Sequence, residues 1–169
     1  MLLIFLVCFL PLLTYGQESD FKGDISGFLA FNQNRILQLA EAFPADKYDW
    51  RPSEGIRSVK ETLLHVAQVN YMGMMQMGFQ PEEEMDYMGL DKMEADKAKT
   101  MEVVKKSFEF VSKNILEIPE SEYGQKVTFP LGEFSKRATL MLILEHGGEH
   151  KGQLIAYARM NDLTPPWSN

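Results

Sequence analysis

The stretch Thr139-Leu140-Met141-Leu142-Ile143-Leu144-Glu145-His146-Gly147-Gly148-Glu149-His150-Lys151-Gly152-Gln153-Leu154-Ile155-Ala156-Tyr157 decides how this chain is read. Thr139, Ile143, His146, His150, Gln153 and Tyr157 recur at three- and four-residue intervals, the spacing of one inward helix face. Extended outward, the pattern predicts a helix from about Glu133 or Ser135 to Met160, with Phe134, Ala138, Met141, Leu142, Leu144, Leu154 and Ile155 as its apolar residues. His146 and His150 then lie on one side, their Cβ atoms about 6 Å apart. That separation lets two ring nitrogens converge on one ion at roughly 2.0 to 2.1 Å each. Gly147 and Gly148 would cost such a helix about 1.5 to 2 kcal/mol relative to alanine. Close helix packing beside the ion is the expected compensation. The residue after His146 is not the glutamate that a zincin uses as base, and Glu149 points at least about 100° away from His150, so protease chemistry is disfavoured.

Three more helices follow from the same periodicity. Phe21 to Phe43 carries Phe21, Ile25, Phe28, Leu29, Ile36, Leu39, Ala40 and Phe43 on one face, with Asn32 among them, and Pro44 stops it. Asn32 is either a satisfied structural amide or a group facing an internal polar site. Ala45 to Arg57 has loop chemistry, and Ser58 with Glu61 forms a capping box that starts the second helix at Val59. Its inner face runs through Val59, Thr62, Leu63, Val66, Val69, Met72 and Met77, with His65 beside it, until Gly78 and Pro81 end the element. The third helix is expected from near Asp91 to about Ile118, with a seam through Met93, Met101, Val104, Phe108, Val111, Ile115 and Ile118. Between it and the last helix, Val127 to Phe129 reads as an extended piece too small to establish a sheet. The tail from Leu163, with Pro165, Pro166 and Trp167, is expected to fold back over a bundle end.

Four amphipathic helices with one apolar stripe each bury those stripes only against one another, so the fold class is all-α, a four-helix bundle. Phe28, Val66, Val104, Phe108 and Leu142 are its expected core. The connections are long enough for crossovers, so up-down-up-down connectivity does not follow from sequence.

The formal net charge of -7 disfavours nucleic-acid binding, because an acidic surface repels a phosphate backbone. The acidic run from Glu82 to Asp96 reads as a solvated connection. At the N-terminus, Leu2 to Leu13 has the apolar core of a leader, and Thr14 and Gly16 supply small residues before a cut near Gln17. Residues 1–16 are therefore expected to be a signal peptide and residues 17–169 a single domain, exported to the periplasm or the exterior. The apolar run is too short for a stable membrane span. Cys8, the one cysteine, falls inside the leader, which removes disulfides, thiolate ligands and a cysteine nucleophile from the mature chain.

The chain has three histidines, and all fall on inward seams: His65 on the second helix, His146 and His150 on the fourth. Three buried imidazoles without partners would carry a substantial desolvation cost, so a shared divalent ion is the economical reading. Zinc is the first candidate, with nickel or iron as alternatives, because imidazole ligands do not select decisively. Asn32, Gln153 and Tyr157 are the nearest candidates for contacts to a substrate or behind the ligands. Glu61 is one turn before His65 and competes between capping its helix and orienting the distal nitrogen of that imidazole.

Trp50-Arg51-Pro52-Ser53-Glu54-Gly55 ahead of the second helix, Leu64-His65-Val66 within it, His146 through Gln153, and Tyr157-Ala158-Arg159 followed by Pro165-Pro166 together resemble the DinB/YfiT-like family of metalloenzymes. The resemblance covers nearly the whole mature chain. It implies a bundle with a long crossover, up-down-down-up, and a divalent ion held by His65, His146 and His150. Members include thiol-dependent transferases and isomerases. The common glutamate after the first helix-four histidine is Gly147 here, the common histidine before the last ligand is Glu149, and Lys151 stands where arginine is frequent.

The expected function is that of a divalent-metal-binding protein, a metal-dependent hydrolase or transferase acting on a small molecule. The alternative is a non-catalytic module that retains a small ligand through the same ion. Three histidines without a thiolate leave an open coordination position, which suits either. A homodimer is compatible with this reading.

Overall fold

A computed structural model describes residues 20–130 and 132–168, and the expected signal peptide lies outside the described residues. Among the described residues there are four α-helices, α1 (Phe21–Ala42), α2 (Val59–Gln76), α3 (Lys97–Glu117) and α4 (Lys136–Met160), with short strands β1 (Lys126–Phe129) and β2 (Gly132–Ser135) between the last two. Each helix begins on a side chain that satisfies an orphan backbone N–H: Asp20, Ser58, Asp96 and Ser135 accept from Gly23, Glu61, Lys99 and Ala138. Ser58 and Glu61 form the expected reciprocal capping box.

Helix direction follows from cross-helix contacts. Lys22 at the start of α1 donates to the Leu116 carbonyl near the end of α3, and Lys97 at the start of α3 donates to the Phe43 carbonyl after α1, so these two run antiparallel. Asn70 of α2 meets Ser107 of α3, and the Tyr71 ring lies beside that of Phe110, an ascending match that makes α2 and α3 parallel. His65 meets His146 and Gly73 meets Ile143, a descending match that makes α2 and α4 antiparallel. The order is therefore up-down-down-up, and residues 77–96 form the long crossover between the parallel pair.

The core has two joined parts. Around α2 and the outer end of α3 lie Ile36, Leu39, Phe43, Leu63, Leu64, Val66, Val104 and Phe108; around the β-hairpin end lie Ile25, Leu29, Met74, Ile115, Leu140 and Ile143. Val66, Val104 and Phe108 are core residues as expected, but Phe28 is 62% exposed and Leu142 is only half-buried. The buried stripes pass through Ile25, Leu29, Asn32 and Ile36 on α1 and through Thr139, Leu140, Ile143 and Gly147 on α4, and a 100° step per residue turns Phe28 and Leu142 off those lines. Met141, also expected on the apolar face, is exposed for the same reason.

Two boundaries differ from expectation. Helix α3 starts at Lys97 because residues Tyr87–Lys92 form a separate 3-10 turn capped by Asp86, after which Asp96 opens a new helix. The extended piece near Val127 does pair: β1 and β2 form an antiparallel hairpin with Val127 opposite Phe134, which removes Phe134 from α4. Gly132, at φ 128°, supplies the backbone geometry that lets the chain return on itself. The tail folds back as expected, with Leu163 and Trp167 packed on the core and the Arg35 guanidinium 4.2 Å from the Trp167 ring centre.

The acidic run is a solvated connection, as expected, with Glu82, Glu83, Glu84 and Asp86 exposed and some of its carboxylates in surface ion pairs. Glu82 pairs with Lys113 at 2.9 Å, Glu83 with Lys106, and Glu94 with Lys60 at 3.6 Å. Among the described residues no helix is long and apolar enough to cross a membrane.

Candidate metal centre

The α2–α4 seam brings the three histidines together. His146 Nε2 lies 3.2 Å from His65 Nε2 and 3.1 Å from His150 Nε2, and one ligand atom from each of the three rings falls within 4.8 Å of the others. Helix α4 remains continuous through Gly147 and Gly148, so the four-residue spacing does align the two rings. The expected compensation at these glycines is different in kind. A Cβ on Gly147 or Gly148 would stand 3.5 or 3.9 Å from Asn32 Nδ2, ordinary contact, so neither glycine is demanded by crowding. The tight approach is at Gly73, where a Cβ would lie 2.6 Å from Ile143 Cδ1. That contact lets α2 and α4 come close enough for their imidazoles to meet.

Hydrogen bonds behind the rings determine which nitrogens face inward. Tyr157 donates its hydroxyl to the Arg57 carbonyl at 3.0 Å, since a carbonyl only accepts. The Tyr157 oxygen therefore accepts from Gln153 Nε2 at 2.6 Å, which turns Gln153 Oε1 toward His150 Nδ1 at 2.7 Å. His150 Nδ1 therefore carries a proton, so the neutral tautomer that this contact selects has its lone pair on Nε2. The second ring obeys the same logic: Gln68 Nε2 donates to the Met88 carbonyl, so Gln68 Oε1 accepts from His65 Nδ1–H at 2.8 Å. His65 Nε2 is also a bare lone pair. One proton on His146 Nε2 would satisfy only one of its two neighbours.

A cation satisfies all three. Two nitrogens bound at 2.0 to 2.1 Å to a tetrahedral ion stand about 3.3 Å apart, close to the two separations seen here. Electrostatics favours the ligand form as well. Burial, reinforced by the neighbouring His150 and His65 and by Arg57, pushes His146 down to about 3, and burial also lowers His65 despite the opposing Gln68 hydrogen bond. Both rings are neutral at pH 7, the state in which imidazole binds metal. The donor set therefore fits a divalent ion with at least one open position.

The remaining residues singled out in the sequence are divided by the fold. Gln153 contacts His150 and Tyr157 stands behind Gln153. Asn32 is buried at the α1–α4 seam, where Nδ2 donates to the Leu144 carbonyl at 3.0 Å and Oδ1 accepts from Lys151 Nζ at 2.6 Å; its hydrogen bonds run to these groups rather than to an imidazole. Glu61 accepts from the Ser58 N–H at 2.8 Å and from Arg51 at 2.9 Å, so it caps α2, and the nitrogen it was a candidate to orient bonds to Gln68. Gln68 was missed from sequence. Its signal is the repeat His65-Val66-Ala67-Gln68 and His150-Lys151-Gly152-Gln153, glutamine one turn after a histidine on both helices.

The fold is shared with solved structures. A conserved protein from Enterococcus faecalis aligns with TM-score 0.67 and 14% identity over 82% of this chain and 95% of its own. YjoA, a DinB-like protein from Bacillus subtilis, aligns with TM-score 0.64 and 22% identity over 83% and 93%. YfiT from Bacillus subtilis, described as a probable metal-dependent hydrolase with an unusual four-helix bundle topology, aligns with TM-score 0.69 and 12% identity over 92% and 95%. No curated protein matches the chain. The sequence pattern of the DinB family matches residues 22–169, spanning all four helices and the three histidines, and the chain belongs to the DinB family.

Proposed function

We propose that His65, His146 and His150 hold one divalent ion, zinc before nickel or iron, and that the protein is a metal-dependent hydrolase or transferase acting on a small molecule. The observation that carries this reading is the convergence of three Nε2 atoms, two of them in rings whose Nδ1–H donates to a glutamine oxygen on the far side. When bound, such an ion supplies Lewis acidity and a nucleophile formed near neutral pH. The chain's own part is to fix three ring nitrogens in place and to leave one side of the site open, since His65 and His146 are only half-buried. Outer partners that are amides rather than carboxylates leave the positive charge of the centre undiminished, which favours binding an electron-rich group at the open side. The likeness to YfiT, a probable metal-dependent hydrolase, supports the same class of chemistry.

Elemental analysis of protein purified without added metal tests the site: about one ion per chain in the parent and strong loss in each of His65→Ala, His146→Ala and His150→Ala. Unchanged metal content without His65 would reject the triad. Turnover on a panel of esters, amides and electrophile–thiol pairs, compared between the parent and His146→Ala, then separates an enzyme from a module that only retains a ligand.

A further inference from the structure

Two chains of contacts behind the imidazoles lead back to one residue, Arg57, in the loop before α2: one of hydrogen bonds, the other ending in an ion pair. The main-chain arm is the Arg57 carbonyl, which receives the Tyr157 hydroxyl at 3.0 Å, and through Tyr157 and Gln153 it sets the proton on His150. The side-chain arm runs from Arg57 Nη2 to Asp91 Oδ2 at 3.8 Å, with Asp91 Oδ1 3.5 Å from Gln68 Nε2 and Gln68 Oε1 against His65 Nδ1. Asp91 lies on the same 3-10 turn whose Met88 carbonyl fixes the Gln68 amide, so the guanidinium also tethers that turn. A ring of contacts thus closes behind the ion site, from His65 through Gln68, Asp91, Arg57, Tyr157 and Gln153 to His150.

We infer that Arg57 is a positioning residue for the metal centre, holding the ligand histidines of two different helices in register at once. The inference rests on the proposed metal site. An exposed ion pair at 3.8 Å contributes little to stability by itself, and Arg57 is 41% exposed on its side chain, so the pair has little value except in what it holds. The loop that carries Arg57 is itself anchored. Val59 N–H donates to the Trp50 carbonyl at 3.1 Å, Arg51 bridges the Ile56 carbonyl and Glu61, and the Trp50 ring meets the Tyr157 ring edge-on at 5.4 Å. The carbonyl of Arg57 is therefore presented from a fixed frame, and Tyr157, 4% exposed, has little room to seek another acceptor. His146 has no part in the ring, which leaves its orientation to α4 and the ion.

The test uses the full chain in metal-free and cobalt(II)-loaded forms. In the metal-free parent, nitrogen-15 histidine spectra should show His65 and His150 each as the single Nδ1–H tautomer. Tyr157→Phe keeps the ring but removes the hydroxyl; His150 should become a tautomer mixture while His65 keeps its form. Arg57→Gln leaves the carbonyl arm and breaks the other; loss of its positive charge, which opposes a cation at the site, would by itself raise cobalt affinity, so a fall of about 10-fold, within the 10- to 100-fold range of outer-partner losses, with a changed cobalt absorption spectrum, reads the lost positioning. Arg57→Lys keeps a cation for Asp91 and should recover most of that affinity. Fixed tautomers in a parent that takes up no metal would overturn the metal reading alone. Metal uptake with a His150 tautomer indifferent to Tyr157→Phe, or an affinity indifferent to Arg57→Gln, would overturn the role of Arg57. A melting temperature lowered without either change would reduce Arg57 to a structural residue and overturn it too.

Discussion

Gly73 of α2 lies against Ile143 of α4 so closely that a Cβ on the glycine would come within 2.6 Å of Ile143 Cδ1. The contact sits two turns from His65 on one helix and about one turn from His146 on the other. It sets the helix separation across which the imidazoles meet.

Gly73→Ala is therefore expected to destabilise the fold by up to about 2 kcal/mol net, overpacking of about 1 to 3 kcal/mol offset by about 1 kcal/mol of helix propensity, and to weaken metal retention by widening the seam. Gly148→Ala should act oppositely, adding up to about 1 kcal/mol from helix propensity because its Cβ meets only ordinary contact. Urea unfolding of both variants checks the contrast; equal effects would show that the two glycines do the same work.

Metal should stabilise the folded chain. At a free zinc concentration one hundred times its dissociation constant, the gain is about 2.7 kcal/mol for one site that the unfolded chain lacks. Thermal unfolding with and without zinc should show an upward shift in the parent and almost none after His146→Ala.

Acid should act through the same rings. In the metal-free protein His65 and His146 titrate below their unfolded value near 6.5, so the folded state binds fewer protons than the unfolded state as pH falls. The penalty is absent above pH 6.5 and grows as pH drops toward about 3. Urea midpoints of chelator-treated protein at pH 8 and pH 4.5 should differ less in His146→Ala than in the parent.

Asn32 separates structure from site. Asn32→Ala leaves Lys151 without its acceptor and the Leu144 carbonyl without its extra donor in a buried seam, a loss of about 1 to 3 kcal/mol. Metal content should remain that of the parent. Parallel loss of metal would place Asn32 in the site.

Material secreted by a native host should have lost about sixteen residues, as the leader reading requires. Intact mass checks this, and retention of Met1 to Gly16 would overturn it.

How much of this was legible in the sequence follows from the range of the forces involved. Helix periodicity is a local property, so the Ile25–Leu29–Ile36 stripe, the Ser58–Glu61 box and the four-residue pairing of His146 with His150 were readable before any tertiary contact was considered. The start of α3 was misplaced because Asp86 and Asp96 each cap a turn, and only packing decides which one opens the long helix. Phe28 and Leu142 illustrate a second limit: an apolar residue at the margin of a stripe is buried or exposed according to where the neighbouring helix lies. Up-down-down-up order and the meeting of His65 with the other two rings depend on contacts between residues about eighty positions apart. The protonation pattern of the site is further still from sequence. Gln68 and Gln153 point their oxygens at histidine because the carbonyls of Met88 and Arg57, which no side-chain pattern reveals, accept the amide and hydroxyl protons on the other side. The sequence by itself determined that there are four long helices and which three histidines face inward; only the tertiary structure decided that their rings meet and which backbone carbonyls stand behind them, because a hydrogen bond needs both partners within about 3 Å and such distances between remote residues exist only in the folded chain.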